Sequence, residues 1–332
     1  MTQKRLLISA LGIAFAGAAV LASSTATAGT PMSSIADSWH NLGSQNAWTV
    51  TPSGNTTANH SNDTAEICVF CHTPHGGDNT AAVPIWNRKL NNPTAYKRYS
   101  SLGSSTFDAT EAPVGSVTIA CLSCHDGGQA IDSVINAPGS GGYNNPANYA
   151  YGSMPRLGNF VGGDTDGAGK LDPNVVQNLG APFSNGNPDL SNDHPVSMQY
   201  AGGGITGSGG VLAGTSKDPD FTGNKANPQG YTLQAMSAPS TSPFDTLFWI
   251  ERYGDSLNNG GRDREDVILY TRTDLGATEP FVECGSCHDP HNVDNPTFLR
   301  VSNGIPTTLA ADFPNANAVN RPSGLCLTCH VK

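Results

Sequence analysis

Charge is scarce in this sequence. Only 13% of its 332 residues are Asp, Glu, Lys or Arg, half the usual ~25%. Basic residues are the scarcer sign, 17 against 27 acidic, for a formal net charge of −10. That balance excludes a nucleic-acid partner, which needs a basic patch. Aromatic residues are few, at 7%. No apolar run beyond the first thirty residues is long enough to span a bilayer, which predicts a chain without a membrane anchor. No cysteine precedes Cys68, so an N-terminal bacterial lipid anchor is excluded as well. Glycine (38) and proline (23) are plentiful, yet together they stay below the ~25–30% of a disordered chain.

The first 28 residues have the pattern of an export signal. Lys4 and Arg5 are followed by an apolar stretch from Leu6 to Ala22 and by Ala26-Thr27-Ala28, a small-residue cleavage site. Removal of this segment takes away two basic residues and no acid, so the mature charge becomes −12. Such a charge repels anionic partners and anionic lipid, and it favours metal cations or basic redox proteins.

All eight cysteines fall in one motif, written four times: C-V-F-C-H at 68–72, C-L-S-C-H at 121–125, C-G-S-C-H at 284–288 and C-L-T-C-H at 326–330. C-x-x-C-H is the attachment signal for c-type haem. Two thiols on one helical turn can each form a thioether to the porphyrin, and the following imidazole then reaches the iron. A redox dithiol, closed zinc sites and a disulfide framework also use paired cysteines. None of them explains a His after every pair with no cysteine left over. The expectation is four covalently bound haem c groups on Cys68, Cys71, Cys121, Cys124, Cys284, Cys287, Cys326 and Cys329, with His72, His125, His288 and His330 as proximal iron ligands.

Each iron has a second axial position. Five further histidines are present: His40, His60, His75, His194 and His291. Methionine at that position would raise the potential, and histidine leaves it lower. His75 and His291 each follow a motif histidine by three residues, across a proline, in H-T-P-H and H-D-P-H. So close a pair cannot grip opposite faces of one iron, so each is expected to cap a neighbouring haem. His40 and His194 are expected to supply the other two distal ligands. His60, in a polar stretch, is the spare. Five candidates for four positions leave no open iron for a reductase active site, so the expected role is electron transfer rather than catalysis.

The chain divides into the signal (1–28), an N-terminal dihaem segment (29–135), a loop-rich middle segment carrying His194 (136–283) and a C-terminal dihaem segment (284–332). The middle is rich in Gly, Asn, Pro and Ser, which favours turns. Apolar anchors recur there at Phe183, Tyr200, Tyr231, Phe244, Phe248 and Trp249. A short helix is expected over Phe244 to Tyr253 and a short strand over Asp266 to Thr271. Asp164 to Asp172 looks like a clipped calcium loop but lacks the closing Glu, and a solvated turn is the better reading. The fold class expected is a multihaem cytochrome c: mostly irregular coil, short helices at the motifs, little β structure and a core formed by stacked haems. On that view the haem-free chain does not fold.

The sequence resembles the paired C-x-x-C-H multihaem cytochromes of metal-respiring bacteria. The resemblance rests on C-V-F-C-H-T-P-H at 68–75, C-L-S-C-H-D-G at 121–127, D-L-S-N-D-H-P-V-S at 189–197, C-G-S-C-H-D-P-H at 284–291 and C-L-T-C-H at 326–330. Within that group it is most similar to the tetrahaem outer-surface cytochromes that polymerise into conductive filaments. The resemblance implies bis-histidine ligation, an extracellular address and respiration onto external acceptors such as iron oxides. It also implies that a ligand histidine can come from an adjacent subunit. Haem chemistry near both ends of the mature chain, at His40 and His330, suits a head-to-tail contact that does not close, which gives an open polymer. A discrete electron shuttle with the same haems is the alternative.

Overall fold

The computed structural model describes residues 34–44, 59–105, 107, 109–139, 142–158, 160–208, 211–236, 248–251, 262–303 and 323–331. The signal segment and Phe244 lie outside them. Among the described residues no helix is long and apolar enough to cross a membrane.

Nine strands occur among the described residues. β1 (His60–Ser61) pairs antiparallel with β2 (Phe160–Val161). β3 (Met198–Gln199) is followed by β4 (Ile205–Ser208) and β5 (Val211–Gly214), which pair with each other. β6 (Thr232–Ala235), β7 (Phe248–Glu251), β8 (Val267–Arg272) and β9 (Glu279–Val282) join β3 in a five-stranded antiparallel sheet of order β3-β9-β8-β7-β6. β8 is central; β7 lies between β8 and the edge strand β6, and all four of its residues are buried. In β8, Val267 and Leu269 point into the core while Ile268 and Tyr270 are half-buried. The sheet core gathers Tyr200, Ile205, Tyr231, Leu233, Phe248, Ile250 and Leu269, and each large apolar side chain buried there contributes ~1.5–3 kcal/mol. Two further apolar clusters form around Ile119, Leu122 and Trp86, and around Phe70 and Ile131.

This architecture corrects the expected multihaem cytochrome c fold of irregular coil with little β structure and a haem-formed core. The interpretable chain is 21% strand and 16% helix, and its core is built from its own side chains. The glycine-rich stretches join strands rather than replace them. The helix expected over Phe244 to Tyr253 is corrected too, because its described part, Phe248–Glu251, is β7. Phe, Trp and Ile favour a strand buried on both faces, and here β6 and β8 are present to pair with it. Of the anchors, Tyr200, Tyr231, Phe248 and Trp249 are buried, whereas Phe183 is exposed. Asp164 to Asp172 is a turn in which the Asp166 carboxylate accepts from the Ala168 and Lys170 amides.

The sheet delivers the third motif. All four C-x-x-C-H segments lie on helical turns: a 3₁₀ turn at Cys68–Phe70, α1 (Ser116–His125), α2 (Cys284–Cys287) and α3 (Gly324–Cys329). β9 runs directly into α2, with Glu283 as its N-cap. Gly285 has no side chain because Tyr270 of β8 crosses it. A Cβ there would stand 2.3 Å from the tyrosine oxygen.

Candidate haem-binding site

Three histidine pairs dominate the geometry. His72 faces His291 with ring centroids 6.3 Å apart, and His288 faces His194 at 6.2 Å. His125 faces His40 at 6.1 Å. Two imidazoles bound in line to one metal, at about 2.0–2.1 Å per bond, place their ring centres ~6.3 Å apart. Each pair joins a motif histidine to a histidine outside the motifs. The ring planes lie 22° apart in the first pair, 19° in the second and 70° in the third.

The other ring nitrogen of each motif histidine in these pairs is occupied. Nδ1 of His72 donates to the Pro84 carbonyl (2.9 Å), that of His125 to Gln177 (3.0 Å) and that of His288 to Thr297 (2.7 Å). A carbonyl only accepts, so the proton sits on Nδ1 and Nε2 keeps its lone pair. This is the outer-shell arrangement that orients a metal-bound imidazole.

Residues 288–299 organise three of these positions at once. His288 and His291 belong to two different pairs. His40 stacks on Phe298 at 4.4 Å with planes 3° apart. Burial, then the nearby His125, lower the His40 pKa to about 3, so this imidazole is neutral, as metal binding requires. Asp289, 3.6 Å from His291 Nδ1, holds that imidazole's pKa above its usual value.

The remaining histidines behave differently. His330 packs against Phe221, with ring centroids 4.3 Å apart. His75 is exposed, and its ring meets no other imidazole among the described residues. His60 lies in β1, outside all three pairs.

The cysteines run as a series. Cys71 and Cys124 lie within electrostatic reach, as do Cys121 and Cys284, and Cys287 and Cys326. Motif 1 therefore neighbours motif 2, motif 2 neighbours motif 3, and motif 3 neighbours motif 4. Burial pushes the thiols of Cys71, Cys287 and Cys329 up to about 12, which makes them poor thiolates.

Side chains from elsewhere in the chain grip every motif by a backbone carbonyl, and sequence reasoning had missed them. Asn87 donates to Val69 (2.6 Å) and Arg88 to Ser123 (2.9 Å). Arg300 donates to Gly285 (2.9 Å) and Asn227 to Leu327 (2.9 Å). Nothing local marks these residues, since each acts on a helix distant in sequence or across a loop.

These donors fit haem c. They come as three opposed pairs of imidazoles, one member of each belonging to a C-x-x-C-H motif. Closed zinc sites take four protein ligands. The amide of Gln129, fully buried four residues after His125, has no partner at either polar atom, leaving a donor and an acceptor for a polar group of a bound cofactor. No protein-family model matches this chain, and no curated protein matches it.

Proposed function

We propose that this chain is an exported tetrahaem c-type electron-transfer protein. The observation that carries the reading is the set of three imidazole pairs at 6.1–6.3 Å. Haem bound there supplies one-electron exchange at iron. The protein's part is to hold both axial nitrogens, fix each Nδ1 proton on a carbonyl, and keep water from the metal. His291 then serves the iron of motif 1, His40 that of motif 2 and His194 that of motif 3. His75 is the remaining candidate for motif 4, within the chain or across a subunit contact. With imidazole on both faces no substrate reaches iron, which favours electron transfer over a multihaem reductase. The sulfur series supports an electron path in motif order.

The export pattern and the resemblance support an extracellular or cell-surface address. They also support a head-to-tail homopolymer that passes electrons between partner cytochromes and external acceptors such as metal oxides. A discrete shuttle is the alternative. Intact mass of the secreted protein tests the cofactor: four added haems are expected, and a product at the bare polypeptide mass ends the proposal. Electron microscopy of the same material separates filament from shuttle.

A further inference from the structure

Arg88 is completely buried, in a chain that has little charge to spend. Burying a cation is costly unless it is paired. The other two buried arginines have carboxylates. Arg272 lies 2.9 Å from Glu283 and 2.8 Å from Asp274, and Arg300 lies 3.7 Å from Asp289. Arg88 meets only carbonyl oxygens: Ser123 from Nε (3.2 Å) and Nη2 (2.9 Å), Ala130 (2.8 Å) and Ile131 (2.5 Å). No carboxylate pairs with it among the described residues. These bonds hold the guanidinium without neutralising it.

Its position is equally specific. Ser123 lies between the two cysteines of motif 2, and the preceding residue, Asn87, holds Val69 of motif 1. The charge on Arg88 acts on Cys71 of motif 1 and on Cys124 and His125 of motif 2, where the buried Asp126 carboxylate, held by the Tyr96 and Tyr151 hydroxyls, acts with the opposite sign. Motif 3, by contrast, has the Arg272–Glu283 pair at its entrance.

Resting on the tetrahaem reading above, we propose that Arg88 is a positioning residue that sets potential: a buried cation with no carboxylate in contact that raises the reduction potentials of the haems on motifs 1 and 2 above those on motifs 3 and 4. Ferric haem carries one more positive charge than ferrous haem. A fixed cation nearby therefore disfavours oxidation, and a low-dielectric interior strengthens that effect. Electrons then settle preferentially on the first half of the haem series.

The test is redox titration of the purified holoprotein, followed by absorbance, for wild type, Arg88→Gln and Arg88→Lys. Covalent haem is counted first by mass. In Arg88→Gln the reduced-to-oxidised ratio of two haems is expected to fall on the order of tenfold at fixed potential, about 59 mV for a one-electron couple. The other two haems stay unchanged. Arg88→Lys keeps the charge and should keep all four potentials. Unchanged potentials in Arg88→Gln with four haems present overturn the proposal, as does an equal drop in both variants. Should Arg88→Gln not accumulate, a two-haem drop in Arg88→Lys alone is sufficient to overturn it. A wild type without covalent haem defeats the functional reading instead.

Discussion

Residues 68–87 and 284–300 solve one problem with the same parts. In each, the motif histidine donates from Nδ1 to a carbonyl farther along, at Pro84 or at Thr297. In each, a later residue returns to the motif: the Asn87 amide bonds the Cys71 carbonyl at 2.7 Å, and the Arg300 amide bonds that of Cys287 at 2.8 Å. Both residues also send a side chain to the residue after the first cysteine. The two segments even share H-x-P-H. Yet His291 faces another motif's histidine, whereas His75 faces no imidazole among the described residues, although both side chains are exposed. The difference lies in what surrounds the loop. Residues 288–299 lie among the histidines of motifs 1, 2 and 3, so their second histidine has a motif imidazole to face. The corresponding carbonyl of His75 is tied down by Thr73 and Asn136, which leaves its ring turned outward. A shared local sequence fixes the loop, and its neighbours fix the ligand's target.

The comparison breaks most visibly at the ligands. His291→Ala is expected to open one iron of four in the isolated protein, detected as carbon monoxide binding to the reduced form. His75→Ala is expected to leave four covalent haems and open one iron as well. If all four irons stay low-spin, His75 has no ligand role and the two segments differ more deeply than their clamps suggest. The next effect is on stability. Glu283 is fully buried, accepts from Thr118 and Ser197, and pairs with Arg272. Glu283→Ala leaves Arg272 with Asp274 as its one carboxylate and removes the acceptor of the Thr118 and Ser197 hydroxyls, and should cost ~1.5–3 kcal/mol, read by denaturant unfolding of the holoprotein. Segment 68–87 has no such entrance pair.

Gly285→Ala sharpens the contrast between a motif fed by a sheet and one that is not. The methyl group meets the Tyr270 hydroxyl and should destabilise by ~1–3 kcal/mol, measured by the same unfolding. The equivalent change at Val69, which is half-buried on a 3₁₀ turn, should do less. The smallest change is Phe298→Ala. It removes the stack under His40, worth ~0.5–1.5 kcal/mol, and frees that ring to rotate. Near-perpendicular imidazoles give a low-spin ferric signal of larger maximal g value than near-parallel ones. Electron paramagnetic resonance should therefore show one such signal from the 70° pair, shifted by this substitution while the others remain.

The helical turns that carry the four motifs were legible from the sequence because they are local: two thiols and an imidazole within five residues share one turn. The same holds for the strand at Val267–Arg272, where the apolar run is short and unbroken. Tertiary structure decided the rest. Which histidine stands across from which motif depends on contacts between residues more than 80 positions apart, as for His40 and His125, and no local pattern encodes that. The five-stranded sheet was hidden for a related reason. Each of its strands is only two to six residues long, too short to show a period, and becomes a strand once its neighbours satisfy its backbone. Arg88 is the sharpest case. Beside Lys89 in sequence it looks like any basic residue, and only the fold surrounds it with carbonyls and removes it from water.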